Sequence, residues 1–277
     1  MIRSMYAGIT GMKNFQTKLD VIGNNIANVN TFGYKKGRTT FQDLVSQQIA
    51  GATAPGDVRG GINPRQVGLG AQLASIDTIN TQGSLQTTGR PLDLGISGDG
   101  FFAVAELDEG GTPGPTYYTR AGNFYLDEEG YLVSSNGLYL LTGDGNRINI
   151  PNDTQSFSIA SDGRVNIVNA AGQLNVDQNG DPVDPQQVGI VKFNNSEGLE
   201  KVGGNIFRES ANSGIANVTT PGIDGAGILV AGTLEMSNVD LSEEFTEMIV
   251  AQRGFQANTR MITTSDEILQ EIMQMKR

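Results

Sequence analysis

Asp177, Asn179 and Asp181 stand at every second position, the opening spacing of a calcium loop, which would place three oxygen ligands around a hard cation. Pro182 and Val188 then occupy the positions where such a loop needs a glycine and a bidentate acid, so a solvated turn is the better reading. Glu128 and Glu129 have the chemistry of a glycoside-cleaving pair but fall in a predicted turn. Gly222, Gly225 and Gly227 fit neither the dinucleotide nor the phosphate-loop spacing. The chain has no cysteine and no histidine, which removes disulfides, thiolate catalysis and the commonest general base and metal ligand. No catalytic, cofactor-binding or metal-ligating residue is therefore assigned. What remains is a basic cluster, Lys35, Lys36 and Arg38 beside Phe32 and Tyr34, suited to an anionic surface or to acidic groups on a neighbouring molecule.

The longest element able to position anything is carboxy-terminal. Leu241, Phe245, Met248, Phe255, Ile262, Leu269 and Met273 recur at spacings of four, three and seven, drawing one narrow apolar seam down a helix. Gln252, Thr259 and Asp266 fill alternate slots, where a polar residue gives up stability and fixes register or partner choice. Asp240 reads as the cap of this helix with Glu243 three residues later, and Lys276 and Arg277 suit its far end. The first thirty residues keep the same beat in Met5, Ile9, Met12, Leu19 and Ile26, with Gln16 and Gly23 in the gaps. Two seams of one type predict two helices that pair as a coiled coil. Charge agrees: residues 1–40 carry six basic groups against Asp20, and residues 235–277 carry eight acids against four basic groups. Gly8, Gly11 and Gly23 each cost about 1 kcal/mol relative to alanine in a helix. Both ends are accordingly expected to be disordered or frayed in the free chain and helical among other copies, with an intramolecular two-helix packing against the middle of the chain as the alternative.

Between the ends the signals are mostly β. The asparagine-dense run Asn24, Asn25, Asn28 and Asn30, followed by Thr31, Gly33 and Tyr34, predicts a helix end near Val29 and a turn in which Gly33 takes a positive φ. Residues 42–45 read as a short helical turn. The glycine-rich text after them reads either as a disordered linker or as an extended segment, and residues 72–83 as extended. Leu92, Leu94 and Ile96 alternate, and Phe102 and Val104 follow a Gly-Asp-Gly turn, as in a half-buried strand pair. Phe124-Tyr125-Leu126 with Gly130 and Leu132 is echoed at identical spacing by Phe157-Ser158-Ile159 with Gly163 and Val165, which predicts two hairpins. The fold class is α+β, with a terminal helical domain (1–30 plus 240–277), extended connections (31–80 plus 226–239) and a β-rich outer domain (81–225). A net charge of −11, borne mostly by the middle of the chain, argues against nucleic acid. No apolar run reaches the ~20 residues that span a bilayer. The amino terminus lacks the apolar block of a secretory signal, so composition alone points to the cytoplasm.

Four stretches carry a resemblance. Asn24 to Lys36 resembles the amino-terminal signature of the bacterial flagellar rod and hook proteins, the axial proteins of the basal body. Gly89 to Phe102 and Tyr118 to Phe124 are similar to the family's central signatures, and Ser237-Asn238-Val239-Asp240-Leu241 through Arg253 to its carboxy-terminal one. The resemblance implies a structural subunit, not an enzyme, that polymerises through its terminal helices into a hollow helical tube. It also implies other axial proteins and the flagellar type III export apparatus as partners, and a place outside the cytoplasmic membrane in spite of the composition. Tyr34, Lys35 and residues 237–240 would belong to its signature surfaces. Within the family, the runs 235–258 and 20–25 are most like hook proteins, so the hook is the first reading. The short chain and residues 46–70 make the distal rod the second. An acidic β-rich carbohydrate-binding or hydrolytic protein is the rival of another class.

Overall fold

The computed structural model describes residues 2–55, 60–107, 113–151, 154–169, 172–174 and 184–275. The calcium-like spacing at 177–181 and the basic pair Lys276 and Arg277 lie outside them. The chain forms two compact units, one of Met1–Ala27, Gly37–Thr78 and Asp240–Arg277, the other of Asn28–Lys36 and Ile79–Val239.

In the first unit, helix α1 (Ile2–Ala27) runs antiparallel to helix α2 (Leu241–Met275). Both are continuous and paired within one chain, so the expectation of frayed ends gives way to the intramolecular alternative. Two of the glycines that counted against helix, Gly8 and Gly11, lie where the helices meet, as does Gly254, whereas Gly23 faces open space. An added Cβ on Gly11 would come within 2.8 Å of the Asn258 side chain, and one on Gly254 within 2.6 Å of the Phe15 ring. These positions exchange intrinsic helix propensity for close approach of the two backbones. Beside the helices, Gly37–Asp43 pairs antiparallel with Ala71–Thr78, and Ser46–Ala50 pairs with Arg65–Gly68. Residues 42–43 are therefore strand rather than helical turn: Thr39, Thr40 and Phe41 are β-branched or aromatic, and the ladder to Ala71 and Gln72 carries Gln42 and Asp43 with them. The ribbon of Ser46–Ala50 and Arg65–Gly68 is exposed on every residue.

The second unit is built on a nine-stranded antiparallel sheet. Its central strand, Phe101–Leu107, is flanked by Pro113–Thr119 and Tyr139–Leu140, and Ile190–Lys192 also pairs with it. Sequence alternation suggested a half-buried strand, yet both of its faces are covered. Phe102 and Val104 join Phe124, Leu132, Leu140 and Ile190 in one core, while Phe101, Ala103 and Ala105 join Tyr118, Phe193 and Phe207 in another. Edge-to-face rings fill both, at 5.3 Å for Phe102 with Phe124 and 4.8 Å for Tyr118 with Phe193. The two echoed hairpins are present: Phe124–Leu126 pairs with Leu132–Ser134 and Thr154–Ile159 with Val165–Asn169, around Gly130 and Gly163 at φ 84° and 83°. Late strands complete the unit, since Ile228–Ala231 pairs with Leu94–Ser97 and Thr233–Glu235 with Leu85–Thr87.

Candidate functional site: a helix pair and a buried ionic clasp

Two constellations gather the residues singled out from the sequence, one in each unit. In the helix pair, every sequence-assigned seam residue of α1 (Met5, Ile9, Met12, Leu19 and Ile26) is half-buried. The line of closest approach runs one residue earlier, through Gly8, Gly11, Phe15, Lys18 and Asn25. On α2 the offset is the same. Glu244, Ala251 and Ser265 are buried, whereas Phe245, Gln252 and Thr259 are exposed; Met248, Phe255, Ile262 and Leu269 flank the line half-buried, and Leu241 and Met273 are exposed. Where the backbones come closest the contact line has glycine, with the Phe15 ring seated against Gly254, while most of the larger apolar side chains spread to either side. Lys18 pairs with Glu247 at 3.0 Å.

The asparagine run does specific work at the end of α1. Buried Asn25 behaves like a strand residue, accepting from the Gly37 N–H at 2.9 Å and donating to the Gly37 carbonyl at 2.9 Å, with a further contact to Glu244 at 3.2 Å. The helix ends at Ala27, two residues before the expected point, and Asn28 caps the turn by accepting from the Thr31 hydroxyl at 3.1 Å. Asn24 and Asn30 are exposed. At the start of α2, Asp240 caps the helix as expected, accepting from the Ser242 N–H at 2.8 Å.

In the second unit one member of the basic cluster, Lys35, turns inward. Lys35 was read as free for an outside anion; instead its Nζ lies 2.6 Å from Glu235 Oε1, and both side chains are 0% exposed. Arg120, 3% exposed, reaches the other carboxylate oxygen at 3.1 Å. The Gly83 N–H donates to Glu235 Oε1 at 2.9 Å, Lys35 donates to the Thr81 carbonyl at 2.7 Å, and Arg120 donates to the Gly98 carbonyl at 2.9 Å. Burial pushes the Lys35 ammonium below the ordinary lysine range, Glu235 pulls it back, and Arg120 adds to the depression. Glu235 further accepts from the Gly33 N–H through its carbonyl at 2.8 Å. Gly33 does take a positive φ, 68°, and a Cβ there would lie 2.6 Å from the Arg120 backbone.

Around the clasp, Asn238 accepts from the Lys36 N–H at 2.8 Å and donates to the Ile79 carbonyl at 2.8 Å. Ser237 is buried and accepts from the Val239 N–H at 3.3 Å, and Lys201 lies over the Tyr34 ring at 5.3 Å. Arg38 is paired with Asp77 at 3.3 Å on the surface of the first unit. The partners Glu235 and Arg120 were missed as such, although a lone carboxylate at the end of the apolar run from Ile228 to Leu234 was the signal that could have found them. Glu128 and Glu129 are exposed in their hairpin turn, as expected.

Three family models match the chain. One described as flagella basal body rod protein covers residues 5–35, one as the D1 domain of flagellar hook protein FlgE/F/G covers 95–167, and one as the carboxy-terminal part of flagellar basal body rod FlgEFG protein covers 230–275. The flagellar basal-body rod protein FlgG of Bacillus subtilis is 58% identical over 278 residues, covering 100% of both chains. That of Buchnera aphidicola is 37% identical over 276 residues, covering 99% of this chain and 100% of the relative. The flagellar hook protein FlgE of Borreliella burgdorferi is 31% identical over 447 residues, with 100% of both chains covered. The order hook first, rod second is thereby reversed. The runs 20–25 and 235–258 belong to signatures that rod and hook proteins share, whereas identity over the whole length favours the rod protein. The chain belongs to the flagellar rod and hook protein family, as a structural, non-catalytic component of the flagellar axis.

Proposed function

We propose that the chain is a subunit of the distal rod, the straight drive shaft of the flagellar basal body, which polymerises with copies of itself into a hollow helical tube. The observation that carries the reading is the 58% identity to a rod protein over the full length of both chains. A subunit whose contact surfaces differ on its two sides joins head to tail, and where the rotation does not close the product is a helical filament. The paired terminal helices (1–30 plus 240–277) line the innermost tube, the connections (31–80 plus 226–239) form a sleeve, and the β-rich domain (81–225) forms the exterior. The exposed members of the sequence seam, Leu241, Phe245, Gln252, Thr259 and Met273, supply contacts between subunits. Partners are copies of the chain, other axial proteins and the type III export apparatus, and the assembled product lies outside the cytoplasmic membrane.

Rod and hook differ mechanically, and the exposed ribbon is the feature suited to stiffening. Ile49 is 64% exposed and Val67 39%, apolar surface that neighbouring subunits would bury. Electron microscopy of the assembled protein tests both parts of the reading. Straight tubes are expected from the full chain, and tubes with measurably greater curvature from a chain lacking residues 46–70. Curved tubes from the full chain would remove the rod reading, and unchanged bending stiffness on deletion would remove the ribbon's role.

A further inference from the structure

We propose that Glu235 is the closing charge of the second unit, so that the unit's early strands stay unconsolidated until the strand carrying Glu235 is in place. The inference concerns the order in which the unit folds and does not depend on what the chain assembles into. Lys35 and Arg120 come from two segments far apart in sequence, and both are buried on the same carboxylate. Two cations share one carboxylate and Arg120 Nε has no hydrogen-bond partner, while Asp99 adds only the smallest of the attractions that Lys35 feels. Without Glu235 the folded unit would hold two like charges out of water or would have to close with Lys35 neutral, and either raises the free energy of the closed form.

Packing imposes the same order. Ile228–Ala231 is the strand partner of Leu94–Ser97, and Thr233–Glu235 is that of Leu85–Thr87. Leu229 and Leu234 are buried with the core, and the Glu235 carbonyl holds the Gly33 turn. Residues 228–235 thus supply a wall of the core, the counter-charge of the clasp and the anchor of the amino-proximal turn together. Because closure needs all three, a chain released progressively from its amino terminus would keep this unit open until position 235 is free.

Refolding of the full-length protein, followed by pulsed hydrogen exchange with mass-spectrometric readout, tests the order without any variant. Amides of Phe101–Leu107 and of Leu94–Ser97 should gain protection in the same kinetic phase as those of Ile228–Ala231 and Thr233–Glu235. Stable protection of Phe101–Leu107 in an earlier phase would overturn the proposal. In Glu235→Gln the refolding rate should fall about ten-fold or more while unfolding changes less than about three-fold, since the interaction would already exist in the transition state. A variant that only unfolds faster would count against it. The triple variant K35M/R120M/E235L removes the charges together and should refold within about three-fold of the wild type if charge closure is the cause. If the triple variant refolds as slowly as Glu235→Gln, the role of charge is refuted.

Discussion

The two units solve the problem of holding a chain together in opposite ways. The second closes on itself: its central strand is apolar and covered on both faces, its aromatic rings meet edge to face, and its buried Lys35 and Arg120 are both paired with the buried Glu235. The first has a contact line rich in glycine, alanine, serine and asparagine, with one aromatic ring, Phe15, against Gly254, and leaves large apolar side chains such as Phe245, Ile249 and Ile272 exposed. A closed core makes a folded body, whereas a thin seam with bare flanks makes a body whose remaining stabilisation comes from neighbours.

Replacing Glu235 by alanine is the largest single blow to this contrast. It should cost the second unit about 3–5 kcal/mol by leaving Lys35 and Arg120 unpaired, comparable with the about 3–5 kcal/mol expected for Phe102→Ala in the aromatic core. Urea titrations followed by near-ultraviolet circular dichroism measure both, and a loss under 1 kcal/mol for Glu235→Ala would mean that water reaches the clasp. Gly254→Leu should be felt next, by about 1–3 kcal/mol, because the new side chain must enter the space of the Phe15 ring. Helical ellipticity should fall while the β signal stays, and a gain in helicity would show that the helices can move apart freely.

Phe245→Ser sharpens the comparison from the other side. In the free chain the change should stay within about 0.5 kcal/mol, as for most exposed positions, while the critical concentration for assembly rises. A large loss in the monomer would mean that Phe245 is covered by its own chain. Smallest is the pH effect of Lys35. Its folded-state value lies below the ordinary value it would have unfolded, so between the two the unfolded chain binds more protons, and this group's contribution to stability rises with pH across that window. Measured against Lys35→Met, the wild-type unfolding midpoint should gain as the pH rises towards the ordinary lysine value of 10.5; a relative decline would invert the assignment.

Much of the molecule was legible in the sequence, and each error has its own physical cause. Hairpins were readable because Gly130 and Gly163 sit at fixed offsets from alternating apolar residues, a local signal. The Asp240 cap was likewise local. The helix seam was read one residue late because period finding follows the large apolar residues, while two backbones meet where the residues are smallest, at Gly8, Gly11, Ala251 and Gly254. The clasp was half-seen for a different reason. Lys35 is conspicuous, but its partner is 200 positions away and no periodicity links them. Likewise the strand at 37–43 depends on a ladder with 71–78, which its own residues do not announce.

One length mismatch has a practical outcome. α2 is 35 residues and α1 is 26, and with Gly8 opposite Asn258 and Ile262 the start of α1 lies level with about residue 268 of its partner. Residues 268–275 therefore project about 12 Å past the pairing at 1.5 Å per residue, carrying Ile268, Ile272 and Met275 in the open. A fluorescent label fused to that projecting end would sit on bare apolar surface, whereas one inserted in the exposed hairpin turn at 127–129 would displace no core side chain, which makes the turn the better place to mark this molecule.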